Sequence, residues 1–402
     1  MSKSKSALVV IFLTIFIDLL GFGIIIPILP FYLEKIAGGT ENIGQTIALM
    51  MMVYSLMQFI FAPVWGRLSD KYGRKPILLM SLAGTMVTHV WFALSTTLWM
   101  LYAARILTGI FAATVPTAMA YISDVTDESN RTKGMGLIGA AFGLGFILGP
   151  ALGGILSQFG GFRVPLLGAA LLSFLAFTVA FFKLKESVDF TVVKQSDFRR
   201  YKLRFVFQAL KNPRLGLLFT IFFIVALSFS NLETVFAVFA QNRFGFDALH
   251  TGYVFGFIGV CSALMQGFFI GKLSKRFGEK KLISAAILVL AVGFFLIPYA
   301  HIVALFVLLS GMVAIGLGMH NPSVLSLVSK NAQSGETGSV LGINQSFSAL
   351  GRIIGPMWAG FAFDRIGPGI PFTSAGVLLL VAFFLSLRLY KKKNLMDAVS
   401  PL

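Results

Sequence analysis

Charge is scarce in this chain of 402 residues, and negative charge is scarcest. Asp and Glu number 16 against 33 Lys and Arg, and together they make 12% of the residues. That is about half the share of an ordinary soluble domain, which excludes a soluble enzyme. The single cysteine, Cys261, lies inside an apolar run. One thiol per chain excludes an internal disulfide framework and a cysteine metal cluster. The HExxH, GxSxG and GxxxxGK patterns are missing. No metal, no cofactor and no enzymatic activity are expected.

What is abundant is apolar. Hydrophobic residues reach 57%, with 42 Phe among them. No globular core needs that much apolar surface, so lipid is the expected solvent. The net charge of +17 could point to nucleic acid, but the Lys and Arg sit in loops between apolar runs, where they specify membrane orientation. Anionic lipid headgroups are the expected partner of those charges, and nucleic acid is not expected.

Twelve runs are long enough to cross a bilayer at ~20 residues each. They are Ala7–Leu33, Ile43–Val64, Ile77–Leu94, Leu98–Ile122, Met135–Leu156 and Val164–Phe182, then Leu215–Ala240, Thr251–Ile270, Leu282–Tyr299, Ile302–Val328, Ser339–Phe363 and Ile370–Leu387. They must be helices, because lipid offers backbone amides no other partner. The first run continues past Asp18 with no small-residue cleavage site, so it reads as an uncleaved span. Of the Lys and Arg, 27 fall on the side that carries both termini, 4 on the other, and Arg105 and Arg352 inside spans. That asymmetry predicts cytoplasmic termini. The one long connection, Lys183 to Arg214, marks a boundary: a first bundle at 1–182, a linker at 183–214 and a second bundle at 215–402. The linker stretch from Phe198 to Phe207 mixes aromatic and basic residues. It is either a short helix on the inner leaflet or a solvated connection.

One half of the chain echoes the other. The loop Gly66-Arg67-Leu68-Ser69-Asp70-Lys71-Tyr72-Gly73-Arg74-Lys75 returns as Gly271-Lys272-Leu273-Ser274-Lys275-Arg276-Phe277-Gly278-Glu279-Lys280. Gly149-Pro150 in span five returns as Gly355-Pro356 in span eleven. The predicted fold is therefore an all-α membrane protein of twelve transmembrane helices in two pseudo-symmetric six-helix bundles. Around Pro150, Gly145, Gly149, Gly153 and Gly154 place small residues four apart, which lets helix backbones approach closely. This is a helix-packing device, and equally a hinge or seal on which a bundle could rock.

With these motifs the chain resembles the major facilitator superfamily, in its twelve-span drug:proton antiporter branch, and within that branch the tetracycline-resistance efflux proteins. Arg105-Ile106-Leu107-Thr108-Gly109 is similar to the branch's span-four motif, Gly145–Gly154 to its span-five motif, and Asp18-Leu19-Leu20-Gly21-Phe22-Gly23 with Pro27 and Pro30 to the first span of the tetracycline exporters. The chain also departs from that pattern. A span-three acid of those exporters falls on Thr88, a span-eight histidine on Ser262 and a span-nine acid on Leu290. Tetracycline is therefore not carried over as the cargo.

Ionisable groups inside spans cost at least ~2.5 kcal/mol each, so each is a site candidate. Asp18 lies about 17 Å into span one at helical rise, near the midplane. Burial disfavours a charged carboxyl, so such a group can take up and release a proton near neutral pH. Glu233, deeper into span seven, is either a second proton site or a contact for a cationic cargo. Arg105 keeps its charge at working pH, and the resemblance implies that it tunes proton release from span one. Arg352 either binds an anionic group of the cargo or pairs with Glu233. Gln58, Asn231, Asn344 and Gln345 are candidate cavity residues, each equally able to join helices by a hydrogen bond. His89 and His320 are weaker candidates for a proton relay. Gly66, Asp70, Gly73, Arg74, Asp124 and Arg131 form a candidate cytoplasmic gate. The resemblance implies that Asp70 caps the start of span eleven and that Arg74 meets the acid ending span four, Asp124. The second copy, with Lys275 and Glu279, is expected to lack that chemistry.

The expected function is a proton-coupled antiporter that exports small amphipathic molecules by alternating access. It would be driven by the proton gradient, act as a monomer and lie in a bacterial-type inner membrane. The alternatives are a proton-coupled sugar or metabolite carrier and a lipid flippase of the same fold.

Overall fold

The computed structural model describes residues 2–38, 42–113, 115–126, 128–188, 212–331 and 337–390. For 2–6, 37, 128–136, 139, 140, 142 and 337–339 it describes the backbone alone. Among the described residues there is no strand. The first bundle contains α1 (Ser2–Ala37), α2 (Ile43–Tyr72), α3 (Arg74–Leu94), α4 (Leu98–Phe111), α5 (Val115–Val125), α6 (Glu128–Ser157) and α7 (Arg163–Lys183). The second contains α8 (Pro213–Phe244), α9 (Ala248–Leu264), α10 (Ile270–Phe277), α11 (Glu279–Leu296), α12 (Val303–Asn331), α13 (Thr337–Arg365) and α14 (Ile370–Ser386). Among the described residues ten helical stretches are long and apolar enough to cross a membrane. The long helices α6 and α13 complete the twelve spans. Most of the linker, 189–211, lies outside the described residues.

Local sequence sets the helix ends. Asn212 accepts hydrogen bonds from the amides of Arg214 and Leu215, with Pro213 at the first helical position of α8. Asp247 accepts from the amide of His250 to start α9. A π-helical turn at Met265–Phe269 joins α9 to α10 within span eight.

Span four departs from the single run expected for it. It breaks between α4 and α5, with Pro116 in the first turn of α5. A break inside hydrocarbon is tolerated only when neighbours take the freed backbone groups. Here they do. The carbonyl of Ile110 accepts from Trp65 Nε1 (2.6 Å), that of Phe111 from Ser81 Oγ (2.7 Å) and that of Ala112 from Gln58 Nε2 (3.3 Å).

The bundles meet through α6 against α9 and α2 against α13, with α1 touching α8 and α9. Their union is uneven along its length. Near the end that carries both termini each bundle has its own core. In the first it contains Val10, Ile11, Leu78, Leu82, Tyr121 and Ile122. In the second it contains Leu282, Ala286 and Met319. A larger cluster runs through the second bundle from Leu215, Val328 and Leu389 at that end, and toward the opposite end it is shared, joining Ile24, Ile28, Ile47 and Met51 of the first bundle to Val235, Phe236 and Phe255 of the second.

Candidate functional site

Four helices, two from each bundle, enclose a small cavity on the seam. Phe22 of α1, Met51 and Ser55 of α2, Ser230, Glu233 and Thr234 of α8, and Arg352 and Pro356 of α13 line it. Its volume is about 10 Å³, the space of a single water molecule. Glu233 is buried at 7% exposure. It lies within electrostatic reach of Arg352. The structure thus sets these two charges, from two helices of the second bundle, on a cavity shared with the first bundle, though not at ion-pair distance among the described contacts.

The link to the other pair of charges is Tyr54, a residue the sequence reading passed over. Its ring stacks on Phe22 with centroids 5.0 Å apart. Asp18, Arg105, Arg352 and Glu233 all act on it electrostatically. Arg105 is fully buried, with its guanidinium 5.6 Å from the centre of the Tyr54 ring and 5.4 Å from that of Phe92. Among the described residues it forms no ion pair and no side-chain hydrogen bond, so the two aromatic faces are its observed support. His89 packs against α1 one turn from Asp18. A Cβ on Gly21 would lie 2.8 Å from its ring, and its Nδ1 donates to the carbonyl of Thr85 at 2.8 Å. Tyr54 was legible only as a polar residue at helical spacing from Gln58 and beside Ser55.

Of the other polar candidates only Gln58 joins this cluster. Gln58 donates to the Tyr54 hydroxyl (3.0 Å) as well as to the span-four break. Asn231 is buried and donates to the carbonyl of Pro371, tying α8 to α14. Asn344 is fully buried on α13, and Gln345 beside it is exposed.

The glycine motif of α6 presents two faces. Gly145 lies against Leu19, Gly149 against Gly23 and Gly153 against Ile24, all on α1, while Pro150 faces Gly23. Gly154 turns across the seam to Ala248 and Gly252 of α9.

At the terminal end the loop between α2 and α3 is a bonded unit. Arg74 pairs with Asp70 (2.5 Å) and Asp124 (3.2 Å), and donates to Ser69 Oγ (2.6 Å), which itself donates to the carbonyl of Gly66. The Arg74–Asp124 contact is the one the resemblance implies. Asp70 is held by Arg74 of its own loop, and its carboxyl is half exposed. The chain ahead of span eleven, 332–336, and the Arg131 side chain lie outside the described residues.

A residue beyond the motif completes this unit. Glu186, just past α7, accepts from the amides of Arg74 (2.8 Å) and Lys75 (3.1 Å) and so caps α3. Ser187 donates to Asp124 (2.9 Å), and the Tyr121 hydroxyl donates to the carbonyl of Lys185. Gly73 has φ of 104°, and a Cβ there would run into the Glu186 carboxylate. Two independent reasons therefore require glycine at this position. Glu186→Ala is expected to lower stability by about 1–2 kcal/mol, the scale of a lost cap, read as a lower melting temperature in detergent. Glu186→Gln, which keeps one acceptor, should lose less.

The second copy is not without a pair. Lys330 binds Glu279, which also accepts from Ser326 Oγ at 3.1 Å. Glu279 stands 205 residues after Arg74, and Lys330 stands 206 after Asp124. The same contact recurs with its signs exchanged, and Glu279 also suits the positive end of the α11 dipole.

Comparison with known proteins agrees with this architecture. The chain is 34% identical over 367 residues to the class C tetracycline resistance protein of Escherichia coli, covering 88% of this chain and 89% of that one. It is 28% identical to Multidrug resistance protein 2 of Bacillus subtilis (strain 168), covering 98% and 97%. The crystal structure of the human organic anion transporter MFSD10 (TETRAN) superposes with a TM-score of 0.70 at 25% identity, covering 95% and 99%. The sequence profile of the Major Facilitator Superfamily matches residues 11–356 and 261–397. This multi-pass membrane protein, which is not an enzyme, belongs to the Major Facilitator Superfamily of transporters.

Proposed function

We propose that this chain is a proton-coupled antiporter that exports small amphipathic, drug-like molecules by alternating access. The observation that carries the reading is the seam cavity, where Glu233 and Arg352 of the second bundle face Phe22, Met51 and Ser55 of the first and connect through Tyr54 to Asp18 and Arg105. Carboxyl groups held at the interface of two bundles can be offered to one side and then the other as the bundles tip. Asp18 is the first proton carrier, Glu233 the second, and Arg105 the fixed charge that favours the ionised acid. The relatives named for tetracycline and multidrug resistance support drug export as the task.

The 27-to-4 distribution of Lys and Arg supports an inner membrane with both termini in the cytoplasm. The apolar contact and the hydrogen bonds between the bundles then lie toward the outer side, as in an inward-facing state. The protein works as a monomer, with anionic headgroups against its cytoplasmic loops and the proton gradient as its energy source. Arg352 on the cavity favours one second reading, an organic anion as cargo, in keeping with the human relative.

The test is a sensitivity panel in a host lacking its own efflux pumps. Expression should raise the inhibitory concentration of at least one cationic, neutral or anionic amphipathic drug about fourfold or more, and Asp18→Asn should erase the gain. A flat panel together with protein correctly inserted in the membrane would reject drug export.

A further inference from the structure

Among the described residues, every hydrogen bond that crosses between the bundles lies at the end away from the termini. Two contacts supply them. Asp364, in the last turn of α13, accepts from the amide of Gly44 through Oδ1 (3.1 Å) and from that of Gln45 through Oδ2 (2.7 Å). Beside it, Gln241 Nε2 of α8 donates to both carboxylate oxygens of Glu34 on α1 (3.0 and 3.1 Å).

The first contact has a particular chemistry. Gly44 and Gln45 open α2, where amides lack a partner within the helix and the dipole is positive. The residue before them, Asn42, is left-handed with φ of 54° and supplies no side-chain cap. Helix α2 therefore has no cap of its own among the described residues, and the opposite bundle provides one. The approach depends on bare backbone. A Cβ on Gly44 would stand 2.7 Å from Asp364 Oδ1, and one on Gly360 would stand 2.5 Å from the Gly44 carbonyl oxygen and from Ala48 Cβ. The cap of α3 is different in kind. Glu186 belongs to the same bundle as the helix it caps, so that bond is indifferent to how the bundles tip.

We propose that Asp364 is the positioning residue for closure at this end, delivering a helix cap from one bundle to the other so that capping α2 and closing the bundles are a single event. The inference rests on the alternating-access reading, because a cap shared between bundles matters only if they part. On opening, the first-turn amides of α2 pass from carboxylate to water, and Asp364 loses a site shaped for it. Glu34 and Gln241 add a second, uncharged-to-charged contact on the neighbouring helix pair.

The experiment uses the full chain in nanodiscs with Cys261 replaced by serine. Thr96→Cys and Ile302→Cys, on exposed loops of opposite bundles at this end, carry spin labels for a pulsed distance measurement without cargo or gradient. Asp364→Ala should raise the ratio of long to short distances about tenfold, which is about 1.4 kcal/mol. That is within reach of two hydrogen bonds to a charged acceptor. Gly44→Ala, which keeps the acid but wedges the contact, should move the ratio the same way, and it serves if Asp364→Ala does not fold. Unchanged distributions in the folded variants would overturn the proposal. A shift in the variants of a protein that moves no cargo would uphold the cap and reject the transport reading alone.

Discussion

Asp18→Asn is expected to reduce gradient-driven flux in proteoliposomes to the level of leak, at least about 100-fold below the parent protein. Asparagine keeps the size and one acceptor oxygen of aspartate but cannot exchange a proton. A fold or packing role would survive that change, whereas a proton-carrying role would not. The surroundings make the distinction sharp. Asp18 acts electrostatically on Tyr54, together with Arg105, Arg352 and Glu233. The neutral amide should therefore remove one of the charges that act on Tyr54 as well as the carrier. Binding of a transported drug, measured by fluorescence or calorimetry, should persist within about tenfold. Glu233→Gln should reduce flux less, because Arg352 on the same cavity still anchors the seam. Flux in Asp18→Asn equal to that of the parent would remove Asp18 from the coupling pathway.

The second large effect concerns packing. Gly149→Leu is expected to prevent stable assembly, seen as loss of monodisperse protein in detergent, and Gly149→Ala to cost about 1–3 kcal/mol or more. A Cβ on Gly149 would meet the Gly23 Cα and the Leu20 carbonyl oxygen, each at 2.8 Å. These are backbone atoms and cannot swing away, so helix α1 itself must move. Moving α1 also moves Asp18, so residual protein should transport poorly even where it is recovered. The same motif supplies its own control. A Cβ on Gly143 meets nothing within 4 Å, so Gly143→Ala should be neutral or stabilising by up to ~1 kcal/mol through helix propensity. Equal losses at both positions would mean that close packing on α1 is not what Gly149 serves.

The fold was legible because lipid imposes a length on every span and the repeat imposes a count. The intramembrane charges Asp18, Arg105, Glu233 and Arg352 were legible because each is costly in a span. Less visible was anything that depends on which helices face each other. Tyr54 reads as one more aromatic residue until α1 and α4 are placed on either side of α2. Glu186 looks like the start of a plain linker, although it caps a helix more than 100 residues earlier. The pair Glu279–Lys330 was within reach, since the offset of 206 that relates Gly355 to Gly149 also leads from Asp124 to Lys330. The break in span four was signalled by Pro116, but the partners that make it tolerable, Trp65, Ser81 and Gln58, come from two other helices.

That break divides the labour of span four. The upper piece holds Arg105 between aromatic rings, and the lower piece holds Asp124 against Arg74 and Ser187. A continuous rod would transmit every displacement of its tip to its middle. Two rods on a jointed elbow do not, so the tip that bears Asp124 can travel with the loops around it while the guanidinium of Arg105 stays in register with its neighbours.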